Sequence, residues 1–156
     1  MKETRSYEIV VAEDNPADLA LVRAALKQHK NRVLHVVPDG EKALTMIDGL
    51  DTRPKAPRID LLLLDMHLPK HDGEEILERL RSTEHLAQTP AIATTSLDSS
   101  WVEAKTVRHA PVFYFHKAST VDGFMEFGAV VRRVLAPNDS SKAATSARNQ
   151  RKDDRG

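Results

Sequence analysis

The most restrictive stretch of the chain is residues 59–65, Ile-Asp-Leu-Leu-Leu-Leu-Asp. A short run that is nearly all leucine suits a central strand buried on both faces of a parallel sheet, with Asp65 as its carboxyl-terminal residue. Four other short apolar runs carry β-branched or aromatic residues or are bounded by turn signals: Ile9 to Ala12, Arg32 to Val37, Ala91 to Thr95 and Val112 to Phe115. Helical periodicity fills the stretches between the five runs. This alternation argues for parallel βαβ units and an α/β fold.

The first run stops at Glu13-Asp14, where Asn15 is suited to cap a helix and Pro16 to occupy its first position. That helix is expected from Pro16 to about His29, with Leu19, Val22, Ala25 and Leu26 on one stripe. Pro38-Asp39-Gly40 reads as a turn and Glu41 to Leu50 as a second helix. Asp51 to Arg58, with two prolines and mixed charges, reads as a surface loop. Further helices are expected over Gly73 to Arg81, Ser99 to about Val107, and Val121 to Leu135, the last capped by Ser119 or Thr120. From Pro137 onward alanine is the sole apolar residue type, too little to repay the entropy of ordering. The expected organisation is therefore one folded unit over residues 1–136 and a disordered polar tail over 137–156.

Lys plus Arg and Asp plus Glu are equal at 23 each, so no net charge points to nucleic acid or to an anionic membrane. Cysteine is absent, which excludes disulfides, thiol nucleophiles and thiolate metal sites. The start of the chain lacks the apolar core of a signal peptide, and the run Leu61 to Leu64 is far too short to span a bilayer. A cytoplasmic protein is expected, with chemistry carried by oxygen and nitrogen groups.

Acidic residues fall at the carboxyl ends of two expected strands, Glu13 and Asp14 after the first and Asp65 at the third. In an open parallel sheet, ligands bind at that edge. A single strand-end carboxylate is ordinarily a cap or a solvated loop group. Three together repel one another unless they share a hard cation, and magnesium takes oxygen ligands. A magnesium site follows. His67 and His71 flank the segment, but imidazole is a poor magnesium ligand.

Residues 65–73, Asp-Met-His-Leu-Pro-Lys-His-Asp-Gly, resemble the phosphoacceptor segment of response-regulator receivers. The resemblance continues with Thr95 and the small Ser96, and with Lys117 behind Tyr114, and it spans roughly residues 7–136. It implies a doubly wound (βα)5 flavodoxin-like three-layer sandwich with sheet order 2-1-3-4-5. It makes Asp65 the nucleophile that takes a phosphoryl group from a phosphohistidine of a sensor histidine kinase. Asp14 and Asp65 would hold Mg2+ with the backbone carbonyl of His67, and Glu13 would act mostly through water. Lys117 and Thr95 would meet the phosphoryl oxygens, and Thr95 with Tyr114 would form the switch. Such a protein catalyses only its own phosphorylation and dephosphorylation. Phosphoryl lifetime in the family depends on positions that here are His67 and Leu97; the apolar Leu97 implies slow self-dephosphorylation.

Receivers usually carry proline after the conserved lysine, with a cis peptide, whereas this chain has Lys117-Ala118. A cis bond before alanine costs about 2.5–4 kcal/mol, and a cis bond is nonetheless the expectation because the lysine must reach the phosphate. Thr94-Thr95-Ser96, the long second-helix loop and the run Val121 to Phe127 look most like the single-domain regulators of bacterial and cyanobacterial phytochromes. A chemotaxis-type or phosphorelay shuttle, and a phosphorylation-independent binding module, are the alternatives. Asp-nucleophile phosphatases need an acid where His67 stands, and dinucleotide binders need a Gly-rich turn missing after the first strand. No output domain of ordinary size follows Leu135, so a stand-alone receiver is expected. Finally, Trp101, Val112, Phe113, Tyr114, Phe115, Phe124 and Phe127 crowd into one stretch. That excess predicts a symmetric homodimer through the fourth helix, fifth strand and fifth helix.

Overall fold

A computed structural model of the chain describes residues 6–29, 31–51, 58–96, 109, 112–117 and 121–136. In chain order its elements are β1 (Tyr7–Ala12), α1 (Pro16–Leu26), β2 (Arg32–Val37), α2 (Gly40–Asp51), β3 (Leu61–Asp65), α3 (Gly73–Ser82), β4 (Ala91–Thr95), β5 (Val112–His116) and α4 (Val121–Leu135). The helix expected at Ser99–Val107, the Lys117–Ala118 peptide, Leu97, Trp101 and the tail lie outside the described residues. The last helix, α4, is thus the fifth of the sequence reading.

All strand pairs are parallel, in the order β2-β1-β3-β4-β5. Strand alternation sends Ile9, Val11, Leu61, Leu63 and Ile92 to one face, where Leu26 of α1 and Phe127, Val131 and Leu135 of α4 cover them. Val10, Ala12, Leu62, Leu64 and Ala91 face the other way, against Ala43 and Ile47 of α2 and Ile76, Leu77 and Leu80 of α3. Both faces of β3 are therefore dry, and every residue from Leu61 to Asp65 is buried. This is why its sequence shows no polar alternation. No helix among the described residues is long and apolar enough to cross a membrane.

Local chemistry sets the helix starts. The Asn15 side chain accepts hydrogen bonds from the N–H groups of Ala17 (2.8 Å) and Asp18 (3.1 Å), and Pro16 follows it at the first turn. Asp72 caps α3 by accepting from the Glu75 N–H at 3.0 Å.

Several expected boundaries shift. Helix α1 ends at Leu26 rather than near His29, because the Lys27 N–H turns to Ala24 O (3.3 Å) and the His29 N–H to Leu26 O (3.0 Å). These three-residue closures end the helical ladder and lead the chain into β2. Strand β1 begins at Tyr7, since Tyr7 and Glu8 pair with Arg32 and Val33. Strand β3 begins at Leu61, not Ile59. The Asp60 carboxylate instead accepts from the Glu8 N–H at 2.8 Å, tying that turn to β1. Strand β5 runs on to His116 because His116 still pairs with Thr95. Helix α2 spans Gly40–Asp51 and α3 ends at Ser82, each slightly longer than its apolar pattern.

Candidate functional site

The two strand faces determine what meets at the carboxyl edge. Continuing the alternation of β1, β3 and β5 past Val11, Leu63 and Phe115 brings Glu13, Asp65 and Lys117 to the α1–α4 side. Backbone ladders persist there: the Glu13 N–H donates to Val37 O (3.1 Å), Met66 to Thr94 O (3.0 Å) and Lys117 to Thr95 O (2.7 Å). The site is thus an extension of the sheet.

Glu13, Asp14 and Asp65 each offer a carboxylate oxygen, and these oxygens lie within 4.8 Å of one another. Glu13 and Asp65 are both 5 % exposed, whereas Asp14 is exposed. Burial, and then the charge of Asp65, push the Glu13 carboxyl up to about 7, against the opposing pull of the Asn15 N–H and Lys117. An all-oxygen cluster with one member held towards its neutral form suits a hard divalent cation, which would compensate the crowded charge. The residues fit a divalent metal.

Lys117 Nζ lies 2.7 Å from Asp18 Oδ2, 3.2 Å from Glu13 Oε2 and 3.2 Å from Asp65 Oδ2. Burial works against its charge, but the Asp18 hydrogen bond and the charges of Asp65 and Glu13 outweigh it and raise the ammonium above the ordinary lysine value. Beneath this pair a cleft between α1 and α4 is walled by Leu21, Val22, Phe115 and Phe127.

His67 reaches the site twice. Its backbone N–H donates to Asp65 Oδ1 at 2.9 Å, and its ring Nε2 lies 3.3 Å from Thr95 Oγ1, the direction of donation following the imidazole tautomer. Thr95 is buried and on the opposite sheet face from Asp65, with the His67 ring beside its hydroxyl. Tyr114 pairs in register with Ala93 and so shares the face of Thr95. The loop carrying His67 is strapped to α2. The Gly40 N–H donates to Pro69 O at 3.0 Å, and a side chain at Gly40 would collide with the His71 backbone. Lys70 adopts a left-handed φ of 73° and sends its ammonium to Glu41 at 2.8 Å.

The sequence reading brought Glu13, Asp14, Asp65 and Lys117 to one edge, and the structure gathers them there. It missed Asp18. The available signal was position: Asp18 stands in the first turn of a helix that starts at the same edge.

The sequence pattern of the response regulator receiver domain matches residues 9–125. The chain belongs to the response-regulator receiver family. Receivers are phosphoacceptor signalling modules served by sensor histidine kinases, and are not metabolic enzymes. Response regulator Rcp1 of Synechocystis sp. is 33 % identical over 89 residues, 56 % of this chain and 60 % of Rcp1. The chain thus matches less than two thirds of that relative. Among solved structures, the Mn(2+)-bound form of Rcp1 aligns with a TM-score of 0.68 at 25 % identity, over 78 % of this chain and 88 % of that one. The phosphorylated cyanobacterial phytochrome response regulator RcpA aligns with a TM-score of 0.72 at 23 % identity, over 83 % and 94 %, and shares the fold.

Proposed function

We propose that this receiver accepts a phosphoryl group on Asp65 from a phosphohistidine of a sensor histidine kinase, in a Mg2+-dependent reaction, and signals by a change of shape. One observation carries the reading. A buried carboxylate, Asp65, lies 3.2 Å from a lysine ammonium and within 4.8 Å of two further carboxylates. Phosphoryl transfer asks mainly for such positioning and charge neutralisation.

In the proposed step an Asp65 carboxylate oxygen attacks phosphorus, the P–N bond of the phosphohistidine breaks, and its electron pair stays on the departing imidazole. Asp14, Asp65 and the backbone carbonyl of His67 are the proposed ligands of the magnesium ion, with Glu13 acting mostly through water. When bound, the ion supplies positive charge against the clustered carboxylates and the phosphoryl oxygens. Lys117 neutralises a phosphoryl oxygen from the other side. Thr95, turning from His67 to the phosphoryl group, donates its hydroxyl, and Tyr114 follows into the space on the shared sheet face.

The likeness to Rcp1 supports a phytochrome-type kinase as the donor. Exposed Phe113 on β5 and Met125 on α4, 47 % and 69 % accessible, support a homodimer through this side of the molecule, and the cytoplasm is the proposed location. Acetyl phosphate with magnesium tests the acceptor, with Asp65→Asn as control. The expected result is one labelled phosphoryl group per chain, absent from the variant. Phosphotransfer compared across histidine kinases, one of them light-regulated, tests the donor; the expected result is fastest transfer from the phytochrome-type enzyme.

A further inference from the structure

Asp18 has no place in the metal cluster and none in the proposed transfer, yet it makes the shortest contact of the essential lysine, 2.7 Å against 3.2 Å to both Glu13 and Asp65. An ammonium has three N–H donors, and these three carboxylates use them all. The pair is partly buried, with side chains 25 % and 33 % exposed, and it lines the cleft between α1 and α4 together with Leu21, Val22, Phe115 and Phe127. Those walls weaken the screening that makes exposed ion pairs negligible. The backbone at Asp18 is fixed, because its N–H is held by the cap residue Asn15 at 3.1 Å.

A phosphoryl group on Asp65 changes the demand on Lys117. The Asp65 oxygen that carries phosphorus is no longer a charged acceptor, and Glu13 lies in the metal cluster. The remaining rival for the ammonium is Asp18. We propose that Asp18 is a positioning residue that competes with the phosphoryl group for Lys117, a latch that holds the ammonium in the resting protein and must yield when Asp65 is modified. The inference rests on Asp65 being the acceptor. It assigns to the first turn of α1 control over how readily the phosphorylated state is reached, and it couples that state to the α1–α4 cleft, which Asp18 and Lys117 line.

The test compares the affinity for beryllofluoride, a phosphoryl mimic, in saturating magnesium for the parent, Asp18→Asn and Asp18→Glu. Loss of one partly screened, charge-assisted competitor should tighten binding about three- to tenfold in Asp18→Asn. Asp18→Glu, which keeps the carboxylate, should stay within about twofold of the parent. Nitrogen NMR of the side-chain ammonium should report a changed Lys117 signal in resting Asp18→Asn and a parent-like one in Asp18→Glu. Equal or weaker beryllofluoride binding by Asp18→Asn, or an unaltered Lys117 signal, would overturn the latch. If the parent itself neither binds the mimic nor takes a phosphoryl group on Asp65, the acceptor reading fails instead, so the two failures are distinct.

Discussion

Strands β3 and β5 deliver the two opposite charges of the site from opposite kinds of support. Strand β3 lies inside the sheet with a partner on each side and is buried from end to end. Strand β5 is an edge, paired with β4 alone, and none of its residues is fully buried. Asp65 therefore sits on a firmly held strand, and Lys117 at the end of a less firmly held one. The two strands divide the labour. A nucleophile needs a fixed position, whereas a group that reports the nucleophile's state must be able to change partners.

The largest predicted effect lies at the end of β3. Asp65→Asn should abolish labelling by acetyl phosphate while leaving the far-ultraviolet dichroism unchanged, because the amide cannot attack phosphorus and the backbone around it is untouched. Label retained at parental stoichiometry would place the acceptor elsewhere. Next comes the strand itself. Leu64 is fully buried between Ala12 and Ala93, its neighbours in register on β1 and β4. Leu64→Ala should therefore cost about 2–5 kcal/mol in urea unfolding, the range for leucine truncation in a closed core. A cost below about 1 kcal/mol would mean that β3 is not the rigid support proposed.

The same contrast explains what the sequence made legible. Strand β3 announced itself because burial on both faces leaves an unbroken leucine run, and Asn15-Pro16 marked the start of α1 because capping is local chemistry. The end of α1 was misread. The stripe of Leu19, Val22, Ala25 and Leu26 says which face is buried, but the turn into β2 is imposed by where the next strand pairs. Asp18 escaped for a similar reason. Its partner is Lys117, ninety-nine residues away, and only the sheet order brings them together. His67 as a neighbour of Thr95 likewise depends on β3 and β4 lying side by side.

A smaller effect follows from Glu13. Its carboxyl titrates near 7 in the folded chain against an ordinary value of 4.5, so the folded state binds that proton more tightly than the unfolded state does. The resulting stabilisation is complete below about pH 4.5 and is lost as pH rises through about 7. Without metal, the parent should therefore lose stability relative to Glu13→Gln over this window, by at most about 3–4 kcal/mol at roughly 1.4 kcal/mol per pKa unit. Millimolar magnesium should reverse the loss above pH 7, because a cation that binds only the folded state favours the ionised carboxylate. Parallel stability curves for parent and variant, with or without magnesium, would remove Glu13 from the charge cluster.

The smallest effect on stability is expected at the edge, where it separates packing from association. Phe113 pairs in register with Ile92 and points to the same face, yet Ile92 is wholly buried while Phe113 is 47 % exposed. The reason is where α4 lies. Its Phe127 meets Phe115 edge-to-face, with ring centroids 5.2 Å apart, and so covers the end of β5 nearest the site. Phe113, two residues back, falls beyond that cover. Phe113→Ser should lower the unfolding free energy of the monomer by about 1 kcal/mol, as for a side chain that is only half covered. If β5 and α4 form the dimer, the same change should weaken self-association at least tenfold, since a partly buried aromatic at the centre of an interface is the usual anchor. Sedimentation at micromolar concentration, with and without acetyl phosphate, reads both parent and variant. A parent that stays monomeric under both conditions would remove the homodimer and leave Phe113 as a contact for a different protein, whereas a large loss of monomer stability in Phe113→Ser would mean that the edge is packed as firmly as the centre.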